Sequence, residues 1–467
     1  MASKLKKYYG HVFTDITIDA AGAEGNCIAR FESLVIFIPY AAPGDIVDVK
    51  IVGFKKKFMI GEIVAIKKAS PHRIAPKCEH FGTCGGCKWQ HLDYTAQLAW
   101  KEQVVKDAFT RLHKIEIPML RPIIGSKAEY EYRNKLEYSF SETRWILQEE
   151  PEGASKLAAG FHIPGRFDKI LDINTCHLQE DLSNQFRNFV KNKAIQMGLT
   201  FYHPRNHTGY MRNMIVRNTI KGDWMIILIV GEGDDAPAIE ILDALTLKFN
   251  EIKSCFYILN TKNNDTIYDL PLHLHKGEDH LVETLHDLKF KIRPKSFFQP
   301  NGKQALALYQ VALEMANLSG NEIVYDLYCG TGTISLFLAQ NAKKVVGIES
   351  VPQAIEDANE NAALNKISNA HFEVGDMRYL FNDALVKKYG KPDVVVTDPP
   401  RMGMHQDVLE KLLALAPEKI VYVSCNPGTQ ARDVQFLLKT YELVEVQPVD
   451  MFPHTHHVEN VVLLIKK

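Results

Sequence analysis

Five short apolar runs in the C-terminal third, EIVYDLYC, KVVGIES, AHFEVGD, DVVVTDP and KIVYVSC, each lead into a stretch of helical periodicity. A strand that is apolar on both faces must be covered on both faces, and helices returning between successive strands do this. From about residue 291 onward the pattern therefore predicts an α/β unit, a doubly wound parallel sheet of Rossmann-like form. The last pair of runs, LVEVQPVDMFP and VENVVLLIKK, predicts an antiparallel hairpin closing one edge. Ligands of such sheets bind beyond the carboxyl ends of the strands, so the residues just after each run are the candidates for chemistry.

The first run ends in Asp326-Leu-Tyr-Cys-Gly-Thr-Gly-Thr333. Gly330 and Gly332 allow a tight turn and a close approach of backbone to ligand. The second run ends at Glu349, where a carboxylate can accept hydrogen bonds from two ribose hydroxyls. Asp376, in VGD, ends the third run where an adenine edge would lie. The turn lacks a third glycine at dinucleotide spacing, and no second mononucleotide half is evident, so S-adenosylmethionine fits better than a nicotinamide dinucleotide.

The fourth run delivers Asp398-Pro-Pro-Arg401, a stiff loop suited to a groove for a planar base. The fifth delivers Cys425, followed at once by the turn-formers Asn426, Pro427 and Gly428. A thiolate is a soft nucleophile. Its addition to C6 of a uracil would make C5 nucleophilic enough to take a methyl group. The product must then lose its C5 proton before the sulfur can leave, so a base is needed as well. In HTHHVEN, Glu459 begins the last apolar run and is the candidate base, with His456 and His457 as rivals.

The 467 residues exceed what one core usually holds, which predicts several domains. Residues 1–70 read as five short strands separated by turns, an OB-like barrel. Residues 1–77 hold twelve Lys or Arg against seven Asp or Glu, with clusters at Lys4, Lys6 and Lys7, at Lys55, Lys56 and Lys57, and at Lys67 and Lys68. On a chain of net charge −1 this is a candidate phosphate-docking surface. Residues 71–93 and 126–290 read as a central α+β domain, while 94–125, with a helix from Tyr94 to Leu112, joins 291–467 in the third. EYRNKLEYSFS, MIVRNTI and WMIILIVG read as strands of the central domain. The N-terminus has no apolar signal-peptide core and no run is long enough to span a membrane, so a cytoplasmic chain is expected.

In that compartment eight cysteines argue for metal binding or catalysis rather than disulfides. Cys78, Cys84 and Cys87 lie on one short loop, and Cys176 can supply a fourth thiolate, a set compatible with tetrahedral zinc or an iron–sulfur cluster. Cys27, Cys255 and Cys329 fit no motif and are expected in the core.

DLYCGTGT, DPPRMG, VSCNPGT and HHVEN, in this order and spacing, resemble the motifs of the RNA uracil-5-methyltransferases. The resemblance implies Cys425 as nucleophile, Glu459 as base, and Gln299 (in SFFQPN), Tyr328, Thr333, Glu349 and Asp398 around S-adenosyl-L-methionine. Some relatives carry asparagine at the position of Thr333. Asp398 would bind either the methionine amine or the uracil N3–H. HFGTCGGCKWQHLDY resembles the branch that holds a [4Fe–4S] cluster, which assigns Cys78, Cys84, Cys87 and Cys176 to it. The first 70 residues resemble a TRAM domain. Together these features look like the bacterial 23S ribosomal RNA (uracil-5)-methyltransferases, with the transfer RNA enzymes as the alternative. The expected partner is RNA, with no DNA or membrane, and the expected state is a monomer. Arg133 and Lys135 in YRNK, with Arg212 and Arg217, are expected to touch phosphates or the target loop.

Overall fold

The computed structural model describes residues 5–55, 57–147 and 150–467. Lys4 and Lys56 of the basic clusters lie outside these. Five strands, β1 (Val12–Ala21), β2 (Cys27–Phe31), β3 (Leu34–Ile38), β4 (Ile46–Phe54) and β5 (Phe58–Lys68), close into a barrel in the order β1-β2-β3-β5-β4. Alternation places Ile18, Ala29, Ile36, Ile38, Val47, Val49 and Ile51 inside it. Asp45, fully buried beneath the barrel, ties it to the next segment by accepting from the amides of Ala42 and Ser70 and from the Arg73 guanidinium.

A second sheet has the order β12-β11-β10-β9-β6-β7-β8. Its strands are β6 (Lys135–Ser141), β7 (Ala158–Ile163), β8 (Arg166–Asp172), β9 (Met211–Asn218), β10 (Trp224–Val230), β11 (Ile252–Leu259) and β12 (His273–Gly277). β9 and β10 are buried along their whole length; the unbroken apolar run of β10 requires this, whereas β9 carries Arg212, Asn213, Arg217 and Asn218 into the interior. The sequence predicted a strand from Glu131. The strand instead begins at Lys135, because the amides of Glu131, Arg133 and Asn134 bond outward to the carbonyls of His177, Leu178 and Pro300.

After the hairpin β13 (Leu281–Leu285) and β14 (Leu288–Ile292), the third sheet is built from β15 (Ile323–Leu327), β16 (Lys344–Glu349), β17 (Ala370–Val374), β18 (Val394–Thr397), β19 (Lys419–Ser424), β20 (Tyr441–Val449) and β21 (Glu459–Lys466). Their order is β17-β16-β15-β18-β19-β21-β20. The first five strands are parallel, and β21 enters antiparallel between β19 and β20. This is the expected doubly wound sheet with its hairpin edge. Two apolar clusters cover its faces, one including Leu308 and Leu336, the other Val408 and Val434. Phe109, just after the helix Tyr94–Asp107, joins the second cluster, so a segment far upstream in the chain docks on this sheet. Among the described residues no helix is long and apolar enough to cross a membrane.

Candidate active site and cysteine site

Strand register builds the catalytic end. β19 and β21 pair with Ser424 opposite Asn460, which carries Cys425 opposite Glu459 at the rim. Asn426 caps the following helix Pro427–Leu437 by accepting from the amides of Gly428 and Thr429. Its Nδ2 also donates to the Arg401 carbonyl at 3.0 Å, and Thr429 Oγ1 donates to the same oxygen at 3.1 Å. The DPPR loop is thus fastened to the turn that presents the thiol. The Asp398 amide donates to the Leu327 carbonyl of the neighbouring strand.

Burial dominates the electrostatics. The Cys425 thiol is pushed up to about 11, by burial first and then by the charges of Glu459 and Asp398, with the Arg401 guanidinium working the other way. Burial also raises the Asp398 carboxyl. Glu459 is raised by burial and then by the like charge of Asp398. At neutral pH the sulfur therefore rests as a thiol beside two carboxyl groups that share little negative charge. His456 and His457 lie with ring centroids 4.1 Å apart and are driven down by burial, to about 4 and about 3. A base is most effective when its pKa lies near the working pH, so Glu459 outranks both histidines.

At the cofactor end, Gly332 sits at φ 78°, where a Cβ would lie 3.0 Å from both Ala358 Cβ and Phe372 Cζ, so a side chain there is strained and requires its neighbours to give. Tyr328 is also left-handed, at φ 66°, a strained conformation for a residue with a Cβ. Glu349 accepts from the Gly330 amide at 3.3 Å and from the amides of Ser350 and Val351 at 2.6 and 3.0 Å, which fixes its carboxylate beside the glycine turn. Thr333 opens the next helix, with Oγ1 3.4 Å from Thr331 Oγ1. Asp376 caps its own turn and pairs with Arg378 at 2.6 Å, and that partner pulls its carboxyl down to about 2. It stands after the third strand as expected, with its charge already engaged. Gln299 is held through its carbonyl by Asn134 Nδ2 at 2.9 Å.

Two residues here were given no role from sequence. Asp326 is buried and accepts from Ser335 Oγ, while its Oδ1 has no partner among the described residues. Burial first, then the charges of Asp398 and Glu349, raise its carboxyl to about 7. Arg401 is the cation that faces the thiol. Both lie inside the motifs DLYCGTGT and DPPR, and a count of local charges at the rim would have found them.

The four cysteines converge. Cys78, Cys84, Cys87 and Cys176 line one end of a single cavity of about 630 Å³. Burial raises all four thiols; the charges of neighbouring cysteines add to it at Cys84, Cys87 and Cys176, and that of Glu79 at Cys78, with Cys84 reaching about 11 and Cys87 about 12. Gln90 joins two of them, accepting from the Cys78 amide at 3.0 Å and donating to Cys87 Sγ at 3.2 Å. Asn184 holds Cys176, accepting from its amide at 2.8 Å. Among the described residues no three His, Cys, Asp or Glu side chains stand close enough to hold one metal ion. Cys27, Cys255 and Cys329 are buried elsewhere.

Arg212 departs from expectation. Only 2 % exposed, it spends its guanidinium on the carbonyls of Asn260, Lys262 and Asn264 and on Asp265, and stacks on Tyr202. It organises a loop and is not free to grip a phosphate.

Comparison with known proteins now bears on this geometry. The family model tRNA (Uracil-5-)-methyltransferase matches residues 273–467, and the TRAM domain model matches residues 6–64. A protein of Bacteroides thetaiotaomicron named as an uncharacterized RNA methyltransferase is 49% identical over 95% of this chain and 99% of its own length. One of Porphyromonas gingivalis with the same name is 48% identical over 95% and 98%. The chain belongs to the RNA (uracil-5-)-methyltransferase family. Consistent with membership, the solved structure of a Pyrococcus abyssi tRNA (uracil-54, C5)-methyltransferase in complex with S-adenosyl-L-homocysteine superposes with a TM-score of 0.75. It is 27% identical and covers 96% of this chain and 99% of its own. The RNA (uracil-5-)-methyltransferase family thus accounts for the sheet, and the TRAM match for the barrel.

Proposed function

We propose that this enzyme methylates C5 of a specific uridine in RNA, using S-adenosyl-L-methionine and a covalent adduct between Cys425 and C6. The observation that carries the reading is the β19–β21 register, which sets a thiol opposite a buried glutamate at the ligand end of the sheet. S-adenosylmethionine supplies an electrophilic methyl carbon. Glu349, Asp376, Tyr328, Thr333 and Gln299 are the groups we assign to holding it, with Asp398 between it and the base. The uridine is flipped out of its stack to reach the rim, at a cost of a few kcal/mol. Cys425 gives its proton to solvent as Sγ bonds to C6, leaving an enolate whose C5 takes the methyl carbon as its bond to the sulfonium breaks and S-adenosylhomocysteine departs. Once C5 is methylated, Glu459 removes its proton, the C5–C6 double bond re-forms and Sγ leaves.

The target we propose is 23S ribosomal RNA, on the resemblance of the cysteine loop. The likeness to a transfer RNA enzyme over 96% of the chain favours transfer RNA as the second reading, since the barrel alone does not separate the two. Mass-spectrometric mapping of 5-methyluridine in both RNAs, with and without this gene, decides between them. Unchanged 5-methyluridine in every RNA would overturn the function.

The cysteine site fits a [4Fe–4S] cluster. Four cysteines lining one cavity are a thiolate donor set once deprotonated, and such a set suits a cluster whose iron atoms each take one sulfur. Cys78, Cys84, Cys87 and Cys176 would hold it, and its contribution would be to staple the loop 78–87 to the segment around Cys176. The division into a barrel (1–70), a central domain (71–93 and 126–290) and a catalytic domain (94–125 and 291–467) belongs to the same proposal, as do a monomeric state and a cytoplasmic location.

A further inference from the structure

Strands β6 and β9 are antiparallel, with Lys135 directly opposite Arg217. Like charges facing each other across a ladder repel, and a sheet gains nothing from placing them there. Arg217 is buried, at 5 % exposure, and Lys135 is half-buried. Arg217 Nη2 donates to the Ser296 carbonyl at 2.7 Å, but its Nε is buried without a partner among the described residues. Burial and the neighbouring arginines pull the Lys135 ammonium down, and burial pulls Arg217 down to about 10. Neither forms an ion pair among the described residues.

These two side chains line the same cavity as the cysteines. The cysteine site does not explain them. Arg133 and Arg187 are the cations that act on Cys176, whereas Lys135 feels Arg217, Glu137 and Arg133. Glu137, two residues along β6 and exposed to solvent, offsets one of the two charges and leaves the other. At the rim Tyr268 is 72 % exposed, an aromatic face held out to solvent. Its carbonyl accepts from Lys295 Nζ at 3.1 Å. Ser296, Phe298 and Pro300 line the same cavity and flank Gln299, so this space adjoins the loop assigned above to the cofactor.

We infer that Lys135 and Arg217 together grip one phosphodiester of the RNA substrate in this cavity, with an adjoining base stacked on Tyr268. The site rests on the reading of RNA as substrate and is separate from the uracil pocket. Two facing cations that share one nearby carboxylate leave a net positive charge at the cavity wall, and a phosphodiester matches it without requiring a particular sequence. A stacked base adds affinity that is equally tolerant of sequence.

The test is binding of a fluorescent oligouridylate 20-mer to the full-length protein, as purified, over a range of salt. Each phosphate contact on a single strand contributes about 0.7 to the slope of log K against log salt. Lys135→Gln and Arg217→Gln should each weaken binding about tenfold and flatten the slope by about 0.7. Because one phosphate is shared, the double variant should flatten it no further. Tyr268→Ala should weaken binding with the slope unchanged, and Tyr268→Phe should bind as wild type. Unchanged slopes in both cation variants, with wild-type binding intact, would overturn the site, as would variants that lose bound iron and leave RNA affinity unaltered. If Arg217→Gln does not fold, Lys135→Gln, on a less buried side chain, decides alone. Binding here requires no methyl transfer, so a protein that makes no 5-methyluridine would sink the proposed function while the slope still judged this site.

Discussion

Trp89 and His454 join the cysteine loop to the loop ahead of Glu459: the His454 carbonyl accepts the amide of Trp89 at 3.0 Å and that of Lys88 at 2.8 Å. Gln97 completes the clasp, accepting from the His454 amide at 2.8 Å and bonding its Nδ1 at 3.2 Å. Lys101, fully buried, meets Asp450 at 2.6 Å and the Phe452 carbonyl at 2.9 Å. His454 itself is left-handed at φ 65°, so the loop needs these partners to keep its path. Gln97→Ala strips the carbonyls of Trp89 and Leu92 of a donor. It should cost about 1–3 kcal/mol of stability and slow the step that needs Glu459 more than the methyl transfer before it. Single-turnover kinetics with gel detection of the enzyme–RNA adduct would show accumulation. A variant that loses both steps in equal measure would argue that the clasp only supports folding.

Removing the two facing groups at the rim should give opposite phenotypes. Cys425→Ala leaves no nucleophile, so neither adduct nor 5-methyluridine forms. Glu459→Gln keeps the thiol and removes the base, so turnover falls by about 10²–10⁴-fold while a methylated adduct persists through a denaturing gel. Turnover intact in Glu459→Gln would reassign the base, and the neighbours to try next are His457 and His456.

The raised Glu459 carboxyl sets the pH profile. Its basic form appears only as pH approaches neutrality, so the elimination rate should climb through the neutral range instead of levelling off near pH 5. Asp398→Asn removes the like charge that helps hold Glu459 up, and the rising limb should move to lower pH. Stability runs the other way. The folded state binds this proton more tightly than the unfolded chain, so stability falls as pH rises from about 4.3, the ordinary glutamate value, to the raised one. Glu459→Gln should remove that fall, seen as a Tm gain at pH 8 that is absent at pH 4. Equal gains at both pH values would mean that the glutamate is not held protonated by its surroundings.

The third sheet was legible because its strands are buried on both faces and therefore read as unbroken runs such as DVVVT, and because the motifs fall where those runs stop. The barrel was legible through its turns. The start of β6 was not: EYRN carries strand-like residues, but the amides of Glu131, Arg133 and Asn134 are taken by His177, Leu178 and Pro300, partners distant in sequence. Arg212 and Arg217 lie on one strand five residues apart and look alike in the sequence. Only the fold shows that one spends both terminal nitrogens on the loop 260–265, while the other donates to the Ser296 carbonyl and faces Lys135. The clasp on His454 was equally hidden, since Gln97 and His454 meet across 357 residues.

The glycine turn offers a last test, because its two glycines differ in what they face. Gly332 combines φ 78° with a Cβ position only 3.0 Å from Ala358 Cβ and Phe372 Cζ, both in packed elements that cannot retreat cheaply. Gly330 has φ 55° and nothing within 4 Å of its Cβ position. Alanine at either position carries the left-handed penalty of about 1–2 kcal/mol, but only Gly332→Ala must also push apart the helix Pro352–Leu364 and β17. Calorimetric titration with S-adenosylhomocysteine should therefore show at least tenfold weaker binding for Gly332→Ala, with a lowered Tm. Gly330→Ala should lose less stability, and any loss of affinity there would report a ligand occupying the open space. Equal Tm losses in the two variants would mean that Phe372 yields, and that the turn is set by conformation alone.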